Sequence, residues 1–319
     1  MVITVTTNVM LDKTVYLPNF ELGKIFRSQK VENVVGGKGI NISLQLTELQ
    51  TENIALGFLG GEVGKQIKSM LDIDKIKNDF VWVEGNTRIG FTILEDNFQQ
   101  TSIFEPNHKI SDDKKIELVK KCTEYATTSS TFAIAGSVPN KEISDIYKLI
   151  IDGVKNINPN CKIFLDSYGK EFKEGIKAKP FCVKQNKKES EIFANCLIKN
   201  ENDYIAVLNL YDVELAIITN GPYYAYIKYK NNYYRVTPLP IKIINPIGCG
   251  DVMNALFIYC FEKEKSFINT IKYGFAAAAS NAEKWTIAKN SLIDIERYVD
   301  KIIVEPLGER TYSTPIKLR

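Results

Sequence analysis

The chain predicts an α/β fold: a mainly parallel central sheet flanked by helices, with a small β-sheet beside it. Three observations carry this. β-branched runs alternate with helix-like runs along most of the 319 residues, and repeated β-α units imply parallel strands with helices on both faces. Two glycine-rich turns, 36–41 and 245–251, each stand between a strand-like and a helix-like run. Two β patches, 13–35 and 80–104, break the α/β rhythm and so are assigned to a small sheet of their own.

Residues 2–6 form a β-branched run expected as a buried strand. Runs 15–17 and 28–35 read as strands, followed by a helix over 37–50, a strand over 53–59 and a helix over 63–71. Runs 80–83, 88–94 and 100–104 alternate, with turn residues between them, as antiparallel strands do. The β/α alternation then returns: helix 113–126, strand 131–135, helix 141–152, strands 162–165 and 181–183, helix 187–198, strand 213–219. Runs 223–229 and 233–237 read as a hairpin about Lys-Asn-Asn. The end reads as helical, over 251–262, 267–283 and 291–300. No linker separates independent domains, so 1–319 is expected to be a single α/β domain.

Hydrophobic residues make up 45% of the chain and charged residues 25%, ordinary for a soluble globular protein. A net charge of +3 with scattered basic residues gives no nucleic-acid surface. The six cysteines show no C-x-x-C pair and no metal-ligand spacing; they read as small hydrophobes of a reduced, cytoplasmic protein. Neither a signal-like N-terminus nor an apolar run of membrane-spanning length is present, so no membrane partner is expected. The single histidine, His108, excludes mechanisms needing a histidine cluster and is expected in an exposed loop. A nicotinamide dehydrogenase would need G-x-G-x-x-G after the first strand, where the chain has Thr6-Thr7-Asn8-Val9-Met10.

Asn245-Pro-Ile-Gly-Cys-Gly-Asp251 joins a β-like run to a helix-like run. Gly248 and Gly250 allow a tight backbone path. The first amides of the next helix are then unpaired, with the positive end of the helix dipole behind them, which suits a phosphate. A carboxylate does not bind phosphate, but Asp251 can accept the proton of an attacking hydroxyl. The combination points to phosphoryl transfer to an alcohol. A glycine turn with Asp251 as helix cap is the plain alternative. Val34-Val-Gly-Gly-Lys-Gly-Ile-Asn41 is a second such turn. Gly36, Gly37 and Gly39 free several amides, and Lys38 adds a mobile positive charge. It lacks the spacing and the Ser/Thr of the P-loop motif.

With these segments the chain resembles the ribokinase-like, PfkB-type sugar kinase family, and within it the phosphohexokinase branch of 1-phosphofructokinases and tagatose-6-phosphate kinases. The resemblance runs through 4–12, 36–41, 57–61, Thr87-Arg88, 136–139, 184–186, 219–221 and 245–251, nearly the whole chain. The two glycine motifs in this order are specific to the family; the short pieces are not. The resemblance implies a kinase domain whose small sheet, 13–35 with 80–104, is a lid over the sugar. It implies ATP as co-substrate, Mg²⁺, and phosphorylation of the 1- or 6-hydroxyl of a ketohexose phosphate to a 1,6-bisphosphate. Tagatose 6-phosphate is the first expectation, because the 245–251 turn and Asn281-Ala-Glu look closer to those kinases. Fructose 1-phosphate is the alternative. A catalytically silent sugar-phosphate sensor is a remote one, against which Asp251 argues. A lid edge strand could also pair across a homodimer.

The same resemblance assigns residues. Asp251 is the candidate base, and the amides of Gly248, Cys249 and Gly250 would stabilise charge on the transferring group. Cys249 stands where the family usually has Ala or Ser; with no histidine partner it is not read as a nucleophile. Asp12 and Asn41 would bind sugar hydroxyls, beside Gly36 and Gly37; a turn aspartate and a local hydrogen-bonder are the plain alternatives. Lys38, Arg88 and Arg27 would neutralise a phosphate already on the sugar, and Ser137 would donate to it. For the two arginines a solvated surface is the alternative. Lys184-Gln-Asn-Lys-Lys-Glu189 resembles K-P-N-x-x-E, in which Asn186 and Glu189 act through water near Mg²⁺ and the ATP phosphates. N-x-x-E is also a helix-capping pattern. Lys184, Thr219 and Gly221 fall on the nucleotide side and Asn281 on the adenine side. Gln185 replaces the usual proline. Leu256 replaces a common glycine, either narrowing the nucleotide cleft or filling a helix contact.

Overall fold

A computed structural model describes residues 1–96 and 99–309; the parts of the sequence assignment covering 97–98 and 310–319 lie outside the described residues. The chain begins β1 (Val2–Thr6), β2 (Met10–Tyr16), β3 (Lys30–Gly36), α1 (Lys38–Glu48), β4 (Asn53–Gly60), α2 (Gly61–Ile73), β5 (Lys77–Asn78), β6 (Val81–Val83), β7 (Arg88–Leu94) and β8 (Gln100–Phe104). It continues α3 (Asp112–Tyr125), β9 (Thr131–Ala135), α4 (Ile146–Ile157), β10 (Lys162–Asp166), α5 (Gly169–Gly175), β11 (Cys182–Asn186), α6 (Lys187–Ala194), α7 (Glu201–Leu210) and β12 (Leu215–Thr219). It closes with β13 (Ala225–Tyr229), β14 (Asn232–Thr237), α8 (Cys249–Glu262), α9 (Phe267–Ala282), α10 (Leu292–Val299) and β15 (Ile303–Glu309).

The large sheet runs β15-β14-β13-β12-β11-β10-β9-β1-β4-β5, with β6 beside β4. From β12 to β5 the pairings are parallel; β13, β14 and β15 add an antiparallel edge. The two-residue period splits the central strands between two cores. Val2, Ala133, Ala135 and Ile217 pack with α1, α8 and α9 on one face. Ile3, Val5, Phe132, Ile134 and Ile218 pack with α3, α4 and α7 on the other. Burial on both faces is why these strands read as unbroken apolar or β-branched runs.

The small sheet has the order β3-β2-β7-β8. It differs from the sequence assignment in three ways. It starts at Met10, so Asp12 lies within it. The central pair β2-β7 is parallel, so the sheet is mixed. And 80–83 does not belong to it: β6 pairs in parallel with β4, placing Phe58 beside the buried Val81. Such a short apolar strand carries no local sign of which sheet will accept it. Elsewhere α5 and α7 appear where no helix was expected. The 187–198 helix stops at Ala194, where Asn195 takes a left-handed backbone (φ 49). The C-terminal end returns to the sheet as β15 instead of finishing as helix. No helix among the described residues is long and apolar enough to cross a membrane.

Candidate active site

A cavity of about 970 Å³ lies between the two sheets, at the carboxyl ends of β1, β11 and β12, where open α/β sheets place ligands. Both glycine turns open onto it. Gly248 is the N-cap of α8 and takes φ 78, a left-handed backbone that favours glycine; a Cβ there would also strike Ile287. The amides of Asp251 and Val252 bond back to Gly248 O at 3.0 and 2.9 Å. Those of Cys249 and Gly250 have no backbone partner among the described residues, as the start of a helix dictates.

Asp251 sits in this first turn, buried, with Asn41 Nδ2 donating to its Oδ2 at 2.7 Å. Burial pushes its carboxyl up to about 6; Lys38 opposes the shift and Asp166 reinforces it. Asp166 ends β10 and was not singled out from the sequence. Lys38 Nζ approaches its Oδ1 at 2.6 Å, and Lys184 Nζ its Oδ2 at 2.7 Å, with Asn254 Nδ2 also donating at 2.8 Å. Burial opposes ionisation of Asp166, but the two lysines outweigh it and hold the carboxyl well below the usual carboxylate range. Burial likewise works against the Lys38 charge, yet Asp166, Asp251 and Glu189 together raise its pKa. Glycine at 250 makes room for this cluster: a Cβ there would sit 2.6 Å from Lys184 Nζ.

At the small-sheet side, the Asp12 carboxylate lies over Gly36 on β3 and Gly90 on β7, both positions where a Cβ would collide with it. Burial pushes Asp12 up to about 6, against the field of Arg88. The Arg88 Nε is buried and has no hydrogen-bond partner. Arg88 also lines an adjoining recess of about 450 Å³ with Asn8, Ser137 and Tyr168. There Asn8 Nδ2 donates to Ser137 Oγ at 3.2 Å.

Gly37, Lys184, Asn186, Thr219 and Gly221 also line the main cavity. Asn186 and Glu189 form the reciprocal capping box at the start of α6, each side chain accepting the other's amide at 2.9 Å. The Glu189 carboxylate also lies 4.0 Å from Lys38 Nζ. Cys249 has its thiol pKa raised by burial, consistent with a bystander.

Some expectations are corrected, and some open alternatives are decided. Asn281 does not face the cavity: it is buried, donates to Ile247 O at 2.9 Å and accepts from the Ala288 amide at 2.9 Å, so it fastens loops together. Arg27 is exposed and lines neither cavity, because it sits in the irregular segment between β2 and β3. His108 is half-buried, not exposed, and neither ring nitrogen has a hydrogen-bond partner; burial and Arg88 lower its pKa. Leu256 is wholly buried in the core and stays out of the cavity; cutting it to alanine would cost about 2–5 kcal/mol. Gln185 is satisfied in the proline position, donating to Ser167 O at 3.0 Å and accepting from Tyr211 at 2.8 Å.

Comparison with known proteins identifies the family. Residues 5–288 match the family described as pfkB family carbohydrate kinase. The chain is 30% identical over 311 residues to a 1-phosphofructokinase of Borreliella burgdorferi, covering 96% of this chain and 99% of that one. It is 29% identical over 257 residues to a tagatose-6-phosphate kinase of Staphylococcus epidermidis, covering 79% and 82%. Among solved structures, phosphofructokinase-2 of Escherichia coli superposes with a TM-score of 0.87 at 20% identity, covering 94% and 98%; at that identity the likeness shows the fold.

Proposed function

The chain belongs to the pfkB family of carbohydrate kinases, and we propose that it transfers the γ-phosphoryl group of ATP to the 1- or 6-hydroxyl of a ketohexose phosphate, giving a 1,6-bisphosphate. One observation carries this reading. A single cavity holds a buried carboxylate of raised pKa, Asp251, and a guanidinium with an unpartnered nitrogen, Arg88. The first takes a proton from the reacting hydroxyl; the second meets a phosphate already on the acceptor.

Asn41 occupies one oxygen of Asp251, leaving the other for the acceptor hydroxyl. Phosphoryl transfer passes through a loose transition state, so positioning and charge stabilisation dominate. The amides of Cys249 and Gly250, at the positive end of α8, receive oxygens of the transferring group. Lys38 and Lys184, pinned by Asp166, hold positive charge in the same cavity. Asp12 accepts from sugar hydroxyls, and Ser137 joins Arg88 at the acceptor phosphate. Lys184, Asn186, Thr219 and Gly221 form the ATP side.

The donor set fits a hydrated Mg²⁺. Asn186 and Glu189 offer oxygens, but they already cap α6, and no group of three or more His, Cys, Asp or Glu among the described residues could hold a metal. Mg²⁺ would therefore be held through water and the ATP phosphates, whose charge it would neutralise.

The two named relatives match at nearly equal identity, so tagatose 6-phosphate and fructose 1-phosphate are the acceptors to compare. A kinase assay across both, with free tagatose and fructose, tests the reading. The phosphates should be far better substrates. A preference for an unphosphorylated sugar or a nucleoside would overturn the acceptor class. Exposed Val31, Ile103 and Phe104 on the edge strands β3 and β8 support a homodimer through the lid, which sedimentation checks.

A further inference from the structure

The loop after α9 touches both halves of the site. Trp285 Nε1 donates to Glu32 Oε2 on β3 at 3.1 Å. Glu32 is braced within the small sheet: the Tyr16 hydroxyl donates to the same oxygen at 2.7 Å, and Lys30 forms an ion pair with the other. The Tyr16 and Trp285 rings lie 6.3 Å apart. On its other side the Trp285 carbonyl accepts Asn245 Nδ2 at 3.1 Å, and Asn245 Oδ1 accepts the Ile247 amide at 3.0 Å. Two residues on, Ile287 packs against Gly248. The next residue, Ala288, is tied through Asn281 to Ile247. Loop 285–288 is therefore fastened to the glycine turn at several points, and the Trp285 indole carries that attachment across to the small sheet.

We propose that Trp285 is a positioning residue which, through Glu32, couples the seating of the small sheet to the geometry of the 245–251 turn, so that acceptor and nucleotide each favour the other's binding. The coupling of ligands rests on the kinase reading above; the mechanical link does not. The contact has the features such a link needs. A charged acceptor makes the indole hydrogen bond stronger than a neutral one. Glu32 cannot drift, because Tyr16 and Lys30 hold it to its own sheet. The turn cannot relax independently, because Gly248 has Ile287 against it.

Hydrogen exchange on the ligand-free protein tests the link. In Trp285→Phe and in the milder Glu32→Gln, amides of both 30–36 and 245–251 should exchange faster, by roughly tenfold, while β1 and β9 stay unchanged. Faster exchange confined to the small sheet, or none, would overturn the proposal. Affinity for a non-hydrolysable ATP analogue is then measured with and without tagatose 6-phosphate or fructose 1-phosphate. The acceptor should tighten analogue binding by roughly fivefold or more in the unmodified protein, and by less than half that factor in both variants. Equal enhancement in the variants would overturn the coupling. If neither sugar phosphate binds the unmodified protein, the acceptor assignment fails, while hydrogen exchange still decides the link.

Discussion

The two glycine turns occupy the same place before a helix and differ in charge. Each starts a helix from a glycine with positive φ and no side-chain cap: Gly37 at φ 138 before α1, Gly248 at φ 78 before α8. The helices pack together, and Asn41 of one bonds Asp251 of the other. The first turn carries a lysine, which the positive end of a helix disfavours. Asp166 at 2.6 Å and Glu189 at 4.0 Å offset that, and pin the cation. The second turn carries an aspartate, and its hydrogen-bonding neighbour is a neutral amide. Burial then leaves it a better proton acceptor than an ordinary carboxylate. A glycine N-cap leaves the side chains of the first helical turn to decide what each turn can do. The chemical role of each turn is set by the partners that the fold brings to its side chain.

The strongest way to break the comparison is to remove the base. Asp251→Asn keeps the Asn41 contact in reach and the turn intact, but nothing then accepts the hydroxyl proton. kcat should fall by roughly 10² to 10⁴, with affinity for an ATP analogue nearly unchanged. Turnover near that of the unmodified protein would show that the two turns do not divide the chemistry in this way. A smaller effect separates pinned from available cations. Lys38 and Lys184 are held by Asp166, whereas Arg88 keeps an unpartnered Nε. Arg88→Ala should raise KM for the sugar phosphate roughly ten- to a hundredfold and leave KM for ATP almost fixed. Parallel rises in both constants would remove Arg88 from the acceptor end.

What was legible in the sequence follows the same division. The turns were, because a positive-φ glycine before a helix is a local requirement written in adjacent residues. The central strands were, because burial on both faces leaves continuous apolar runs. Asp166 was missed although it directly follows an anticipated strand, 162–165: its importance comes from Lys38 and Lys184, which approach from other parts of the chain. The polar Asn281, at the end of α9, and Arg27, in a loop, were misplaced because a sequence does not say which way a polar side chain will face. Asn186-x-x-Glu189 fitted two readings, and the structure shows the capping one; its role at the nucleotide is a proposal tested by metal dependence. Glu189→Gln should raise the Mg²⁺ concentration for half-activity by roughly threefold, since a residue acting through water loses only part of its effect. Full activity in excess chelator would contradict it.

The smallest effect bears most directly on how the turns communicate. If Asp251 must be ionised to accept a proton, kcat/KM falls as pH drops through about 6. That limb alone is ambiguous. Asp12 is also raised to about 6, and the second ionisation of a sugar phosphate lies nearby. Lys38→Gln resolves it. Lys38 lowers the pKa of Asp251, whereas Asp12 feels Arg88 instead, and the substrate is the same in both assays. Asp166 stays ionised against Lys184 and goes on raising Asp251. With the lowering field of Lys38 gone, the acid limb should move to higher pH, by roughly half a unit to one unit, whatever happens to the plateau. A limb that stays in place while the plateau falls would mean that the lysine turn stabilises charge without tuning the base. The two turns would then be neighbours in one cavity rather than one coupled device.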